Sequence, residues 1–487
     1  MPLTLEAALP PAVAEGLLRN PPFAARRAGR AHSSSFEVTW LDTAAGSFAA
    51  EGLALEQPRR GKRRLLRSLP QPSAYWRPGT PPAELGWADG HEAPDDDGTV
   101  LPVAGFAGRA TRMVLADGVE ASLLHGRLRT VAAEAPAARL TLSGPAPAVL
   151  AAMRDLAEAL PLLPPRAALA EEARALARGA PPPARRLGPP RLDKGLGVEE
   201  ALALALGHLT EVLLWHAPAA EAGRTPEGVH QMRVAMRRMR SLLRVFRPAC
   251  DGAALRSFDA RLKDLAALLG PARDLDVFLG GLGAEIAAAV PDDPRIVALM
   301  RRARAQREAA YAALRPALQG VALRRIAWEA VALIETRPWR NEAEETAAER
   351  RAEPLETFAA AVLDKRWRRI TETDEAIAEL PDAAFHALRI DAKRLRYAAE
   401  LFAPLFGRKK ARRFLGRLAK VQEAFGLAND AVVSRGLVAS LTARGGARLA
   451  WAGGIAEGWA LARARRARKK AATDWAELIE TELFWRP

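Results

Sequence analysis

Apolar and polar residues follow two different periods along this chain. In the first 160 residues they alternate over short runs, as in residues 36–42 and 138–143, which is typical of strands with one buried face. Residues 111–116 and 118–124 predict two more strands, and residues 148–160 predict a helix. This part is therefore predicted to be an α+β domain rich in antiparallel strands.

From residue 198 onward the apolar residues recur every three or four positions, which is typical of amphipathic helices. Pro, Gly and Asn-Asp punctuation separates many of the predicted helices, which cover residues 199–217, 226–248, 252–269, 272–289, 293–317, 321–335, 354–378, 382–405, 408–425, 428–443 and 446–482. Residues 180–190 are rich in proline and predict a stiff linker. Residues 71–98 predict an irregular loop, in which we expect Asp95, Asp96 and Asp97 to be solvated and not to bind metal.

One predicted helix carries a continuous row of basic residues. These are spaced three or four apart and therefore lie on one face: His230, Arg233, Arg237, Arg240, Arg244 and Arg247. An apolar row lies beside it, formed by Met232, Met236, Met239, Leu243 and Phe246. Like charges at this spacing cost roughly 0.2–0.5 kcal/mol per pair. The row is therefore either a solvated helix face or a site for a polyanion.

The basic helix occurs twice in the chain, at an offset of 156 residues. This offset pairs His230 with His386, Arg233 with Arg389, Arg237 with Lys393, Arg238 with Arg394, Arg240 with Arg396 and Phe246 with Phe402. The register continues to Gly270 and Gly426 and to Asp274 and Asp430, whereas Arg244 becomes Glu400 and Arg273 becomes Asn429. Two copies of one helical unit are predicted.

The chain has 487 residues and a formal net charge of +15, of which residues 1–190 hold only +3. The basic excess of the second part implies an acidic partner. Cys250 is the only cysteine, which excludes an intrachain disulfide and a cysteine-based zinc site. The N-terminus does not have the pattern of a secretory signal, and the apolar runs are too short to cross a bilayer. We therefore expect a cytoplasmic protein without a membrane segment.

The repeated residues resemble the CHAD family, whose pattern is His-x-x-Arg-x-x-x-Arg/Lys-Arg-x-Arg in each of two helical-bundle repeats. Residues 230–240 and 386–396 match it, and Gly270–Asp276 and Gly426–Asp430 resemble the family's downstream Gly-x-x-Arg/Asn-Asp motif. The resemblance covers about residues 195–485. It implies an all-α domain of two pseudo-symmetric bundles, whose basic helices face a channel that binds inorganic polyphosphate, and association with polyphosphate granules.

The binding residues that this resemblance and the repeat imply are His230, Arg233, Arg237, Arg238, Arg240, Arg244, Arg273, His386, Arg389, Lys393, Arg394, Arg396 and Tyr397. Arginine suits such a polymer because its planar guanidinium can bind two phosphate oxygens at once. We assign Asp274 and Asp430 a structural role, orienting arginines or capping a helix. No cofactor, metal or catalytic residue is predicted.

The first 180 residues resemble the CYTH or triphosphate-tunnel family, through Trp40-Leu-Asp-Thr43 and Gly52-Leu-Ala-Leu55. This resemblance implies an antiparallel β-tunnel that holds a triphosphate and a divalent metal ion. The family's opening Glu-x-Glu-x-Lys falls on Pro2, Thr4 and Glu6, and its Arg-x-Arg falls on Glu56-Gln-Pro58. Because these positions do not match, we predict a degenerate tunnel without triphosphatase activity.

The predicted fold is thus an α+β domain (residues 1–180), a Pro-rich linker (181–195) and an all-α domain (196–487) with repeats at about 196–345 and 350–487. The predicted function is non-enzymatic polyphosphate binding. One alternative is an inorganic triphosphatase or polyphosphatase whose active site lies in the N-terminal domain. The other is a non-specific nucleic-acid scaffold, which is disfavoured because few aromatic residues lie near the basic rows and no nucleic-acid-binding motif occurs.

Overall fold

A computed structural model describes residues 2–71, 76–86, 100–342, 345–372, 377, 379–443 and 445–486. The chain forms two compact units. Unit 1 contains Met1–Gly188, Thr210–Trp215 and Gln319–Arg337, and unit 2 contains Pro189–Leu209, His216–Leu318 and Pro338–Pro487. The domain limits predicted from the sequence stay a prediction, which limited proteolysis would test.

Unit 1 contains a curled antiparallel sheet, which confirms the fold predicted for this part. Its strands are β1 (Pro2–Ala8), β2 (His32–Asp42), β3 (Leu53–Pro58), β4 (Arg64–Arg67), β5 (Ala83–Leu85), β6 (Leu101–Val114), β7 (Glu120–Arg129) and β8 (Glu134–Pro145). They are ordered β1-β8-β7-β6-β2-β3-β4-β5, and each neighbouring pair is antiparallel.

The helices of the first 180 residues are α1 (Pro11–Gly16), α2 (Pro21–Ala24), α3 (Ser47–Ala50), α4 (Ala146–Ala159) and α5 (Leu169–Arg178). The region that follows is helical: α6 (Val198–Ala222), α7 (Glu227–Phe246), α8 (Ala253–Leu268), α9 (Gly270–Gly280), α10 (Leu282–Ala289), α11 (Pro294–Gln319), α12 (Val321–Thr336), α13 (Trp339–Glu342), α14 (Glu345–Ala352), α15 (Leu355–Thr371), α16 (Asp382–Phe402), α17 (Arg408–Thr442) and α18 (Gly446–Ile479). No helix among the described residues is long and apolar enough to span a membrane.

The two faces of the sheet bury different cores. On one face, residues such as Leu140 of β8 pack against α4 and against Trp328 of α12, whose indole Nε1 donates to the Leu162 carbonyl at 2.9 Å. On the other face, α5 places Ala170 and Ala173 against Trp40. Helices thus cover apolar positions on both faces.

The structure corrects three expectations about single elements. Part of the predicted loop at 71–98 is a strand, because β5 pairs with β4, while Asp95, Asp96 and Asp97 lie outside the described residues. The predicted helix 272–289 is two helices that break at Gly281, where a Cβ atom would lie 2.8 Å from the Val277 carbonyl oxygen. The two predicted helices 408–425 and 428–443 are the single helix α17.

Two arginines at the start of the Pro-rich segment before α6 pack within unit 1. Arg185 and Arg186 are buried, and each donates to a backbone carbonyl of unit 1: Arg185 to Pro165 at 2.6 Å and Arg186 to Gln71 at 2.7 Å. Buried guanidinium groups require such acceptors, because an unpaired charge away from water is costly.

The helices that carry the basic rows meet in unit 2. α7 ends at Phe246 and α16 at Phe402, which is the offset of the sequence repeat. The two phenylalanine rings lie 6.0 Å apart, and Phe358 of α15 contacts both, with ring centroids at 5.4 and 6.4 Å. Equivalent positions of the two repeats therefore contact each other in one aromatic cluster.

Candidate anion site

α7 is held in place by its apolar row. Met232, Met236, Met239, Leu243 and Phe246 are all buried, as the spacing predicted. At its N-terminal end α7 approaches α6 closely at Gly228, where a Cβ atom would lie 2.2 Å from the Ala220 amide nitrogen. Burying this row leaves the basic residues of the same helix partly exposed.

Four basic residues form what we call the α7 cluster: His230, Arg233 and Arg237 of α7 and Arg273 of α9. Arg233 Nη1 donates to the Ala266 carbonyl at 2.7 Å, and Arg237 Nε donates to the Tyr397 hydroxyl at 3.2 Å. Among the described residues, none of the three arginines has a carboxylate within ion-pair distance. Within the described part of the chain, no ion pair neutralises these three positive charges.

The positive charges of the α7 cluster repel one another and so disfavour one another's protonated forms. Burial, followed by the charge of Arg237, lowers the pKa of the Arg233 guanidinium. Burial, followed by the charge of Arg273, lowers the pKa of His230. Burial also raises the pKa of Asp274. A bound anion would relieve the repulsion between these charges, because an opposite charge favours the ionised form of each base.

The second copy lies on α16. His386 is exposed, and Arg389 and Lys393 are partly exposed, each on the same helix face as its counterpart on α7. The side chains of Asn429 and Asp430, which are the counterparts of Arg273 and Asp274, lie outside the described residues. Tyr397 is brought to the first copy by its hydrogen bond with Arg237.

The sequence motif Trp40–Thr43 of unit 1 has a structural use here. Asp42 accepts hydrogen bonds from the Thr43, Phe48 and Ala49 amides at 2.9, 3.0 and 3.1 Å, and so caps the short helix α3. It also lies 3.3 Å from Arg174. Asp42 therefore stabilises the backbone of residues 43–49.

Two carboxylates on the α5 side of the sheet, Glu56 and Glu6, lie beside arginines. Glu56 accepts from Trp40 at 3.2 Å and pairs with Arg64. Glu6 lies 3.6 Å from Arg139, and burial raises its pKa. Within the part of the chain that the structure describes, no three potential ligands among His, Cys, Asp and Glu are grouped so that they could hold a metal ion.

The comparisons with known proteins bear on the helical region. Residues 200–439 match the CHAD domain family. This region of the chain is a CHAD domain. The crystal structure of the CHAD domain from the plant Ricinus communis is similar, with 26% sequence identity and a TM-score of 0.51, covering 61% of this chain and 96% of that one. The structure of PptA from Streptomyces chartreusis has 17% identity and a TM-score of 0.44, covering 58% of this chain and 100% of that one. A search of curated proteins found no match.

The antiparallel sheet of unit 1 forms a half-barrel, which is consistent with the tunnel-like domain expected from the sequence.

The predicted binding residues of the CHAD domain differ in their ion pairing. One group is paired with carboxylates: Arg238 with Glu400 at 3.1 Å, Arg240 with Asp259 at 2.7 Å, Arg394 with Asp391 at 2.6 Å and Arg396 with Glu400 at 2.6 Å. An anion would have to compete with these partners, so the α7 cluster is the better-prepared part of the predicted site.

The sequence analysis missed a set of basic residues on α15. Lys365, Arg366 and Arg369 line a cavity together with Arg244 and Arg394 of the CHAD domain. The signal was present as the run Lys365-Arg-Trp-Arg-Arg369. It was not recognised because the equivalent positions of the first repeat contain no basic run from which a role could be inferred.

Proposed function

We propose that this protein binds inorganic polyphosphate, a linear polyanion, through the α7 cluster and the equivalent residues His386, Arg389 and Lys393 of α16. The observation that carries the proposal is that three arginines of a CHAD domain converge without a carboxylate partner among the described residues. The resemblance noted in the sequence supplies the ligand class, because CHAD proteins are linked to polyphosphate. Association with polyphosphate granules and the absence of catalysis belong to the same proposal.

The chemistry of the cluster suits this ligand. Polyphosphate carries about one negative charge per phosphate, so successive groups along a helix face can each meet one unit of the polymer. Guanidinium groups bind phosphate oxygens in pairs, and a protonated His230 can donate a further hydrogen bond. Charge-assisted hydrogen bonds of this kind contribute about 1.5–3 kcal/mol each.

The test is a titration of the full chain with long-chain polyphosphate. Replacing Arg233, Arg237, Arg389 and Lys393 together with Ala should weaken binding on the order of 100-fold or more, since several charge-assisted contacts are lost. A charge-matched control replaces Arg19, Arg30, Arg178 and Arg448, which are exposed and lie outside the proposed site, and should change the affinity by less than about threefold. Circular dichroism would show that both variants keep their helices.

Three results would contradict the proposal. The first is an equal loss in the variant and in its control, which would mean that only net charge matters. The second is equal affinity of the wild type for duplex DNA and polyphosphate at physiological salt, which would favour the nucleic-acid scaffold. The third is metal-dependent release of phosphate from tripolyphosphate, which would favour the triphosphatase.

A further inference from the structure

A basic cavity lies beside the aromatic cluster of unit 2, between the end of α7 and helices α15 and α16. Its volume is 370 Å³, far more than the roughly 10–15 Å³ that a single water molecule requires. The side chains that line it include six basic residues, Arg244, Arg247, Lys365, Arg366, Arg369 and Arg394, and one acidic residue, Asp391. The lining is therefore strongly cationic.

Asp391 does not neutralise this lining. Its two carboxylate oxygens accept from Arg369 at 2.9 Å and from Arg394 at 2.6 Å. Among the described residues, Arg244 and Arg366 have neither a hydrogen-bond acceptor for their guanidinium groups nor an ion-pair partner. Two guanidinium groups thus border the cavity with their donors available.

The electrostatics of the cavity agree with this geometry. Burial, followed by the charges of Arg394 and Arg244, lowers the pKa of Arg366 to about 10. Burial and the neighbouring Arg240 lower the pKa of Arg244, and Arg394 contributes to that shift. Because like charges destabilise one another in a partly desolvated site, an anion bound here would be stabilised by several neighbours at once.

The internal repeat provides a comparison within the same molecule. At the equivalent place of the other repeat, Glu400 replaces Arg244 and pairs with Arg238, which is the counterpart of Arg394, at 3.1 Å. The cavity there, which Arg238 and Glu400 line, measures only 20 Å³. At one of the two equivalent places Arg238 thus pairs with Glu400. At the other, Arg394 pairs with Asp391, while Arg244 and Arg366 have no carboxylate partner among the described residues.

We propose that the cavity of Arg244, Arg366 and Arg394 is a separate binding site for a phosphate-type oxyanion. The guanidinium groups of Arg244 and Arg366 would donate to its oxygens, in the place that the Glu400 carboxylate occupies in the other repeat. The proposal does not depend on polymer binding at the α7 cluster. The oxyanion is either a free phosphate ion or a phosphate group of a longer chain.

The test compares Arg366→Met with the wild-type full chain. Titration with inorganic phosphate should show a dissociation constant raised about tenfold or more in the variant, because a charge-assisted contact is lost. Arg366→Lys keeps the charge and should lose less affinity. Arg448→Met on an exposed helix face serves as the control and should bind phosphate within about twofold of the wild type.

A thermal-melting series guards against misfolding. Without phosphate, Arg366→Met should melt at or above the wild-type temperature, since the substitution removes like-charge repulsion. Added phosphate should raise the melting temperature of the wild type and not that of the variant. If Arg366→Met binds phosphate within twofold of the wild type, or if Arg448→Met loses as much affinity, the site is refuted.

Titration of the same variants with long-chain polyphosphate distinguishes the two sources of the oxyanion. A loss for both phosphate and polymer would mean that the cavity takes a phosphate group of the chain. A loss for phosphate alone would mean that it takes the free ion. Both results support the site. Its failure is separable from a failure of the α7 cluster, because the variant at Arg233, Arg237, Arg389 and Lys393 retains Arg366.

Discussion

The pKa of His230 is lowered in the folded protein, and a bound anion would raise it again. Burial lowers its pKa from the ordinary 6.5, as do Arg273, Arg237 and Arg233, while Glu227 opposes them. The unfolded chain therefore holds a proton that the free folded protein does not, so stability falls as the pH drops below about 6.5. Polyphosphate should have the opposite effect, because it favours the protonated imidazole.

We therefore predict that polyphosphate affinity increases as the pH falls from 8 to 5.5. The increase is up to about tenfold per pH unit for each proton that the protein takes up on binding. His230→Gln should flatten part of this increase while leaving the affinity at pH 8 nearly unchanged. Titrations with long-chain polymer at several pH values measure both. A pH profile that is identical in the wild type and in His230→Gln would exclude a role for this imidazole in binding.

Arg238 and Arg240 show why the partners of a site residue are harder to predict than the residue itself. The apolar periodicity predicted the helix that carries both, and the internal repeat singled them out. Their carboxylate partners, Glu400 and Asp259, come from other helices and are 162 and 19 residues away along the chain. Local periodicity contains no information on which distant side chain meets a given arginine, so the sequence could not separate the paired from the unpaired arginines of this helix.

At the level of elements, the aromatic cluster of Phe246, Phe358 and Phe402 is where equivalent residues of the two repeats contact each other. All three rings are buried, so removal of one should leave a cavity. We predict that Phe246→Ala and Phe402→Ala each lower the free energy of unfolding by about 3–5 kcal/mol. Chemical denaturation followed by circular dichroism measures the change.

The double variant tests whether the two rings act as one cluster. Residues in contact share a cavity when both are removed, so the double variant should lose less stability than the two single variants together, by about 0.5–3 kcal/mol. Phe23, which is buried in a core of unit 1, provides the partner for a control cycle. Strict additivity for Phe246 and Phe402 would mean that the rings are not energetically coupled.

The existence of the helices could be predicted from the spacing of apolar residues, whereas the positions where they begin and end could not. The apolar spacing predicted α7 and α16, and the register of the repeat followed from matched His, Arg and Phe positions. The break at Gly281 and the continuity of α17 past Asn429 were not predictable. Helix propensities of Asn and Asp differ from that of Ala by less than about 1 kcal/mol, so packing against neighbouring helices decides whether such a residue ends a helix.

For the whole molecule, the sequence separated a strand-rich part from a basic helical part, and the structure confirms both. It did not show that residues 319–337 belong to the compact unit of the sheet. Trp328 and Val331 of that segment are buried in a core with β1 and α4. Such a long-range association depends on which apolar faces fit each other, and a single sequence reveals the faces without revealing their partners.

The salt dependence of polyphosphate binding distinguishes the local charge of the α7 cluster from the total charge of +15. A ligand that displaces counterions binds with a logarithmic affinity that falls linearly with the logarithm of salt concentration, and the slope counts the phosphates neutralised. Replacing Arg233, Arg237 and Arg273 with Ala should reduce that slope by about one for each arginine. Removing Arg19, Arg30 and Arg448 lowers the total charge by the same amount, yet it should leave the slope unchanged, because these residues lie outside the proposed site. Titrations between about 50 and 400 mM salt measure both slopes, and equal reductions would show that the polymer responds to overall charge and does not bind at the α7 cluster.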